Sequence, residues 1–103
     1  MSPMLHLINK SPFERTALDS CLRLAKPGSS ILLIEDGVYA ALDKAAHAVK
    51  IAGRMKDFTF YVLGPDVAAR GLSDTALIEG IAVVDYAGFV DLVAEHHVTQ
   101  SWL

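Results

Sequence analysis

Cys21 is the only cysteine of the chain and its only soft nucleophile. A thiolate can carry sulfur as a persulfide, but a reactive cysteine needs a cationic or helix-terminal setting and some exposure. At 100° per residue, Cys21 lies near the middle of the apolar arc of a predicted helix, in its third turn. Burial there raises the pKa of a thiol and makes the residue a small hydrophobe. Two hypotheses therefore stay open: a packing cysteine, which the geometry favours, and a sulfur-carrying thiol.

The four histidines are the next candidates, for metal binding or acid–base chemistry. His6 lies between two leucines of a predicted strand, which favours a hydrogen-bonded core residue over a ligand. His96 and His97 end a predicted helix, where the helix dipole favours imidazolium. Adjacent helical residues point to different sides, and no third ligand is evident. Phosphate-loop, G-x-G-x-x-G and H-E-x-x-H patterns do not occur, so we expect no metal and no other cofactor.

Asp36 and Asp85 each follow a predicted strand and precede a predicted helix. Aspartate is a common N-cap, because its carboxylate accepts hydrogen bonds from the first helical turn. A paired acid function would require the two strands to be neighbours, which the sequence does not establish. We therefore predict that both aspartates are helix caps.

The elements that position these residues alternate along the chain. Strands are predicted at residues 4–8, 30–35, 58–63, 81–84 and, as an edge strand, 98–103. The first helix is predicted over 11–26, because Ser11, Pro12 and Glu14 form a capping-box pattern and Pro27-Gly28 ends it. Further helices are predicted over 38–55, 65–70 and 86–96. The helix over 38–55 would break, if it breaks, at Asp43-Lys44.

This alternation predicts the α/β class, as one small domain spanning residues 1–103. Its mostly parallel five-stranded sheet would be flanked by helices in a flavodoxin-like layering. Ligands and partners of such sheets tend to bind at the carboxyl ends of the strands.

Composition and charge exclude several classes of protein. A chain that is 52% hydrophobic and 20% charged is not a disordered tail. No apolar run approaches the ~18 residues of a membrane span, and the N-terminus lacks the pattern of a secretory signal. The net charge is −3 and the basic residues are scattered, which argues against direct nucleic-acid binding. We therefore expect a soluble cytoplasmic protein, without membrane contact, whose apolar excess meets another subunit.

Six segments carry the pattern of a known family, in matching order along nearly the whole chain. They are MLHLINKSPF (4–13), LLIEDGVYAA (32–41), YVL (61–63), ARGL (69–72), VVDYAGFV (83–90) and QSWL (100–103). With these segments the sequence resembles the DsrH/TusB family. Cys21, in Asp19-Ser20-Cys21-Leu22, matches a cysteine of DsrH-type members that TusB-type members can lack. Residues 45–55 match no motif of the family.

The resemblance implies a DsrE/F/H-like fold and a subunit of an intracellular sulfur-relay complex, a dimer of heterotrimers. The partners would be DsrE/TusD-type and DsrF/TusC-type subunits, and sulfur would pass to a DsrC/TusE-type carrier. The pathway would be sulfur oxidation or 2-thiolation of the tRNA wobble uridine. Because the principal persulfide cysteine belongs to the DsrE/TusD-type subunit, this chain would be an accessory subunit, and alone it would self-associate.

Two alternatives stay open beside this hypothesis. The chain would be a sulfurtransferase in its own right if Cys21 accepted the persulfide sulfur. The second alternative is a small flavodoxin-like ligand-binding domain. The absence of a phosphate-binding loop argues against this alternative.

Overall fold

Five parallel strands form one sheet in the computed structural model, which describes residues 4–12, 16–43 and 48–102. The order across the sheet is β4-β3-β2-β1-β5. The continuous apolar run of the second strand is typical of a strand buried on both faces, and all its residues are buried. The strands are β1 (Met4–Ile8), β2 (Ser30–Leu33), β3 (Thr59–Leu63), β4 (Ala82–Val84) and β5 (Val98–Trp102). Their ends lie within two residues of the predicted ones, so the five predicted strands are confirmed.

The strands are joined by helices, as the alternation predicts. Within the described residues four of them are α-helical, and the turn that follows β2 is a 3-10 helix, Glu35–Ala41. The α-helices are α1 (Ala17–Leu24), α2 (Ala48–Ala52), α3 (Gly64–Ala69) and α4 (Tyr86–Glu95). The predicted α/β class with a parallel, helix-flanked sheet is therefore confirmed.

The predicted start of the first helix is wrong. Helix α1 begins at Ala17, after Thr16, whereas Ser11 is buried and Pro12 lies in a turn. Glu14, the third residue of the capping-box pattern, lies outside the described residues. The capping-box pattern is a local signal, and in this chain α1 begins six residues after Ser11.

The predicted helix over 38–55 is also wrong as a single element. The 3-10 helix ends at Ala41, and Leu42 is extended and forms an isolated antiparallel bridge with Leu77. Helix α2 then covers Ala48–Ala52, so the chain leaves the helical conformation close to Asp43, while His47 lies outside the described residues. Apolar residues three or four apart satisfy both a 3-10 turn and an α-helix, so the periodicity did not separate the two.

The helices are divided unequally between the two faces of the sheet. The core of one face, here called the first face, joins the sheet to α1, the 3-10 helix, α2 and α3 through Leu18, Val38, Ile51 and Val67. The core of the opposite, second face contains Leu5 and Leu32 of the sheet and Leu92 of α4. Among the described residues, a single helix therefore covers the second face.

Candidate functional site

Cys21 lies in α1 and is completely buried in the core of the first face. It shares this core with its helical neighbours Leu18 and Leu22 and with Ile8 and Ile31 of the sheet. Burial raises the pKa of the thiol to about 12. Because the thiolate is the reactive form, the thiol stays protonated near neutral pH and is a poor nucleophile in this conformation.

Helix α1 is fixed in this position by contacts with the segment around α2. Arg54 donates a hydrogen bond from Nη1 to the carbonyl oxygen of Leu22 over 2.9 Å and pairs through Nε with Asp57 over 2.9 Å. Lys50 forms an ion pair with Asp19 of α1 over 2.9 Å. The exposed pair contributes little, but the half-buried arginine ties the helical turn that carries Cys21 to the rest of the fold.

His6 is buried in β1 and forms a hydrogen bond with Trp102 of β5. The indole Nε1 of Trp102 donates to Nδ1 of His6 over 3.0 Å. Burial lowers the pKa of the imidazole, so the neutral form is favoured. Because Nδ1 accepts, the neutral ring carries its proton on Nε2, and this buried atom has no hydrogen-bond partner among the described residues. The prediction of a hydrogen-bonded core histidine is confirmed, and Nε2 remains available.

The carboxyl ends of β2 and β3 are linked by acidic side chains. The backbone N–H of Glu35 donates to Oδ2 of Asp66 over 2.6 Å, and Asp36 forms an ion pair with Arg70 over 2.9 Å. Glu35 has a φ of 49°, which is unusual for a residue other than glycine. The prediction that Asp36 caps a helix is wrong, because its carboxylate is bound by the arginine that follows α3.

Asp85 caps α4, as predicted, and accepts a hydrogen bond from the backbone N–H of Gly88 over 2.8 Å. Strand β3 separates the strands that precede Asp36 and Asp85, so the two carboxylates do not form an acid pair. At the other end of α4, His96 donates from Nδ1 to the carbonyl oxygen of Leu92 and also contacts the hydroxyl of Ser30. This histidine therefore connects the end of α4 to the start of β2.

Within residues 4–12, 16–43 and 48–102, no group of three potential metal-ligating side chains comes together. In the same part of the chain, no helix has both the length and the apolar character needed to cross a bilayer.

The second face exposes apolar side chains that a larger core would bury. Tyr86, Val90 and Val93 lie along one side of α4, at helical spacings of four and three, and are 61%, 66% and 42% exposed. On the sheet beneath, Leu7, Tyr61 and Val84 are only partly buried. A helix is about 10 Å wide, whereas five strands at about 4.8 Å span roughly twice that width. The second face therefore has room for a further apolar element.

A comparison with models of protein families shows to which family this chain belongs. A family model described as "DsrH like protein" matches residues 10–99. The chain belongs to the DsrH/TusB family. Among curated relatives, Protein TusB of Pectobacterium parmentieri is 37% identical over 100 residues, which cover 96% of this chain and all of that protein. Protein TusB of Escherichia coli K12 is 34% identical over 99 residues, with the same coverage.

Solved structures support the fold of this DsrH/TusB chain. The ychN protein from E. coli superposes with a TM-score of 0.85 at 15% identity, over 99% of this chain and 100% of that one. MTH1491 from Methanobacterium thermoautotrophicum, a protein of unknown function, gives a TM-score of 0.75 at 15% identity and covers 98% and 99% of the two chains. At this identity the similarity establishes the α/β architecture alone.

The site residues of this DsrH/TusB chain were only partly accessible to sequence reasoning. Helical geometry correctly placed Cys21 on an apolar arc, and its burial follows. The partnership of His6 with Trp102 was missed, because the two residues are 96 positions apart and meet only through the pairing of β1 with β5. The exposed side of α4 had a signal in the sequence, since Tyr86, Val90 and Val93 repeat at helical spacing, but periodicity alone does not distinguish a buried stripe from an exposed one.

Proposed function

We propose that this chain is an accessory subunit of an intracellular sulfur-relay complex. It would assemble with DsrE/TusD-type and DsrF/TusC-type subunits, and the complex would pass persulfide sulfur to a DsrC/TusE-type carrier. The pathway served is 2-thiolation of the tRNA wobble uridine or dissimilatory sulfur oxidation. Membership of the DsrH/TusB family supports the proposal, because it covers nearly the whole chain.

The observation that carries an assembly function is the apolar second face. Tyr86, Val90 and Val93 present an apolar side of α4, and sheet residues of the same face are only partly buried. Exposed apolar patches of this kind mark protein interaction sites, and interfaces of permanent complexes are rich in such side chains. We place a homologous subunit of the complex on this face, and without it we expect the isolated chain to self-associate.

The competing function, a sulfurtransferase with Cys21 as acceptor, receives less support. A thiol that is fully buried, with a pKa of about 12, offers neither access nor thiolate to a persulfide donor. A persulfide adds one sulfur atom, about 32 Da, to a cysteine. We expect mass spectrometry after incubation with a persulfide donor to find no stable adduct on Cys21, and a rapidly formed adduct would favour the enzyme.

Two exposed valines allow a matched test of the assembly proposal. Val90 lies on the apolar side of α4, whereas Val49 is 82% exposed on α2, which packs on the first face. Co-expression with DsrE- and DsrF-type or TusD- and TusC-type partners should recover a stable complex. Val90→Glu should reduce recovery of the partners by about tenfold or more, because it buries a charge in an apolar contact. Val49→Glu should leave recovery unchanged.

Thermal melts of both isolated variants distinguish loss of assembly from loss of folding. Both valines are exposed, so each change should alter the free energy of unfolding by less than about 0.5 kcal/mol. Equal recovery of partners by both variants, or no complex with the unchanged chain, would contradict the proposal.

A further inference from the structure

A cavity of about 470 Å³ opens on the first face, on the side of the sheet where β5 is the edge strand. It lies between β1 and β5 on one side and the end of α1 with the following loop on the other. This volume is within the range of small-molecule sites. Met4 begins β1 and Trp102 ends β5, so the cavity follows these two strands along the sheet and is not confined to the carboxyl edge, where ligands of such folds usually bind. Most of its wall is apolar and comes from Met4, Leu24, Ala25, Pro27 and Trp102.

His6 borders this cavity and has a hydrogen-bond donor that no described residue satisfies. The residue is 2% exposed and borders the cavity, and its Nδ1 is occupied by Trp102. The proton of the neutral ring is therefore on Nε2, which has no partner among the described residues. A buried donor without a partner is unfavourable, so an acceptor in the cavity would gain a hydrogen bond that none of the described residues makes.

The polar groups at the cavity favour a negatively charged acceptor. Lys26 and Gln100 both border the cavity and are exposed, so their flexible ends can reach a ligand. None of the described residues that border the cavity is acidic. A carboxylate would meet a cation and one or two N–H donors, whereas an ammonium group would meet repulsion from Lys26.

We propose that this cavity binds a small carboxylate with an apolar body. The body would lie against Leu24, Pro27 and Trp102, and the carboxylate would accept from His6 Nε2 and pair with Lys26. Nε2 has almost no exposed surface, so binding requires a small displacement of the cavity wall. This site is independent of the assembly surface, because the cavity opens on the first face and the apolar side of α4 belongs to the second.

Trp102 is the only tryptophan of the chain and lines the cavity, so its fluorescence reports on the site directly. Benzoate, toluene and benzylamine share one apolar ring and differ in charge. We expect saturable changes in Trp102 emission with benzoate, and binding at least about tenfold weaker with the other two. Backbone amide shifts in residues 24–29 should follow the same titration. Equal binding of benzoate and benzylamine, or no response to benzoate by the folded protein, would overturn the proposal.

Three variants test the residues individually. Lys26→Gln should weaken benzoate binding several-fold, whereas Lys10→Gln, at the opposite end of β1, should not change it. His6→Phe should reduce the preference for benzoate over toluene several-fold, since an aromatic ring remains while the donor is lost and only Lys26 still favours the carboxylate. Ala25→Leu should fill the cavity and abolish binding, with the thermal melt recorded to verify folding. Unchanged benzoate binding by a folded Ala25→Leu variant would place the ligand elsewhere and refute the assignment.

Discussion

Trp102 of β5 donates its indole N–H to Nδ1 of His6 in the neighbouring strand β1 over 3.0 Å. In the register of the two strands His6 pairs with Gln100 and Ile8 pairs with Trp102, so this hydrogen bond runs diagonally. The two ring centroids are 6.0 Å apart and the rings are tilted by 45°. The contact selects the tautomer of the histidine and attaches the edge strand to the interior of the sheet.

The first prediction concerns the donor of this bond. Trp102→Phe keeps an aromatic ring but leaves Nδ1 of a buried histidine without a partner. We expect the free energy of unfolding to fall by about 1–3 kcal/mol, the usual cost of an unsatisfied buried group. Urea denaturation measures the change, and Gln100→Ala on the same exposed strand serves as control. A loss no larger than in the control would show that the bond contributes nothing to stability.

The second prediction is a loss of stability at acidic pH caused by His6. Its pKa is lowered from 6.5 by burial, so the unfolded chain takes up the proton first as the pH falls. The contribution is therefore fully present above about pH 6.5 and is lost as the pH falls towards the folded-state pKa. A folded-state pKa that is lower by one pH unit corresponds to about 1.4 kcal/mol in the free energy of unfolding.

Denaturation curves between about pH 5 and 8 reveal this dependence, because histidine is the side chain that ordinarily titrates there. His6→Leu should flatten the decline below pH 6.5, whatever its stability at neutral pH. The exposed His97→Gln control should keep the decline of the unchanged protein. A decline that persists in His6→Leu would assign the effect to other groups.

The third prediction compares two substitutions of Cys21. A serine hydroxyl at this fully buried position needs a hydrogen bond or costs about 1–3 kcal/mol, whereas alanine loses only a small apolar group. We expect Cys21→Ser to destabilise more than Cys21→Ala, and the assembled complex to transfer sulfur at a near-normal rate with both. Thermal melts and a reconstituted transfer assay measure the two effects. Unchanged melts together with lost transfer would instead identify an exposed relay thiol.

The fourth prediction concerns the close approach of the chain after β2 to the end of β1. Gly37 is buried, and a Cβ added there would overlap the carbonyl oxygen of Ile8. Gly37→Ala should therefore lower the free energy of unfolding by about 2 kcal/mol or more, because backbone must move. In the control Gly53→Ala, the new Cβ would lie 3.3 Å from the carbonyl oxygen of Val49, and we expect a much smaller change. Equal melting temperatures of the two variants would contradict this packing.

The elements that sequence reasoning located well are those whose signals are local. The apolar run of β2 and the aspartate cap of α4 depend on neighbouring residues only, and both are present. The start of α1 was predicted wrongly because the capping-box pattern at Ser11 is local, whereas the helix begins at Ala17, after Thr16. The helix predicted after β2 was wrong because the same spacing of apolar residues fits a 3-10 helix and an α-helix. The positive φ of Glu35 was also not predictable, because a glutamate does not indicate such a conformation.

The candidate site was harder to predict, since its parts come from distant segments. The cavity joins residues of β1, the α1–β2 connection and β5, and only the strand order brings these together. Cys21 was the exception, because the side of the helix on which it lies follows from spacing alone. The exposure of the apolar side of α4 could not be predicted without knowing how few helices cover the second face.

The position of β1 between β2 and β5 has a consequence for protein synthesis. Strand β1 leaves the ribosome first among the described strands and β5 leaves last, so one edge of β1 stays unpaired while the intervening residues are made. During that interval the open strand is a template for non-native pairing. Closure needs contacts between residues as far apart as His6 and Trp102, and such contacts slow folding. Nascent chains stalled before β5 should therefore recruit chaperones more strongly than complete ones.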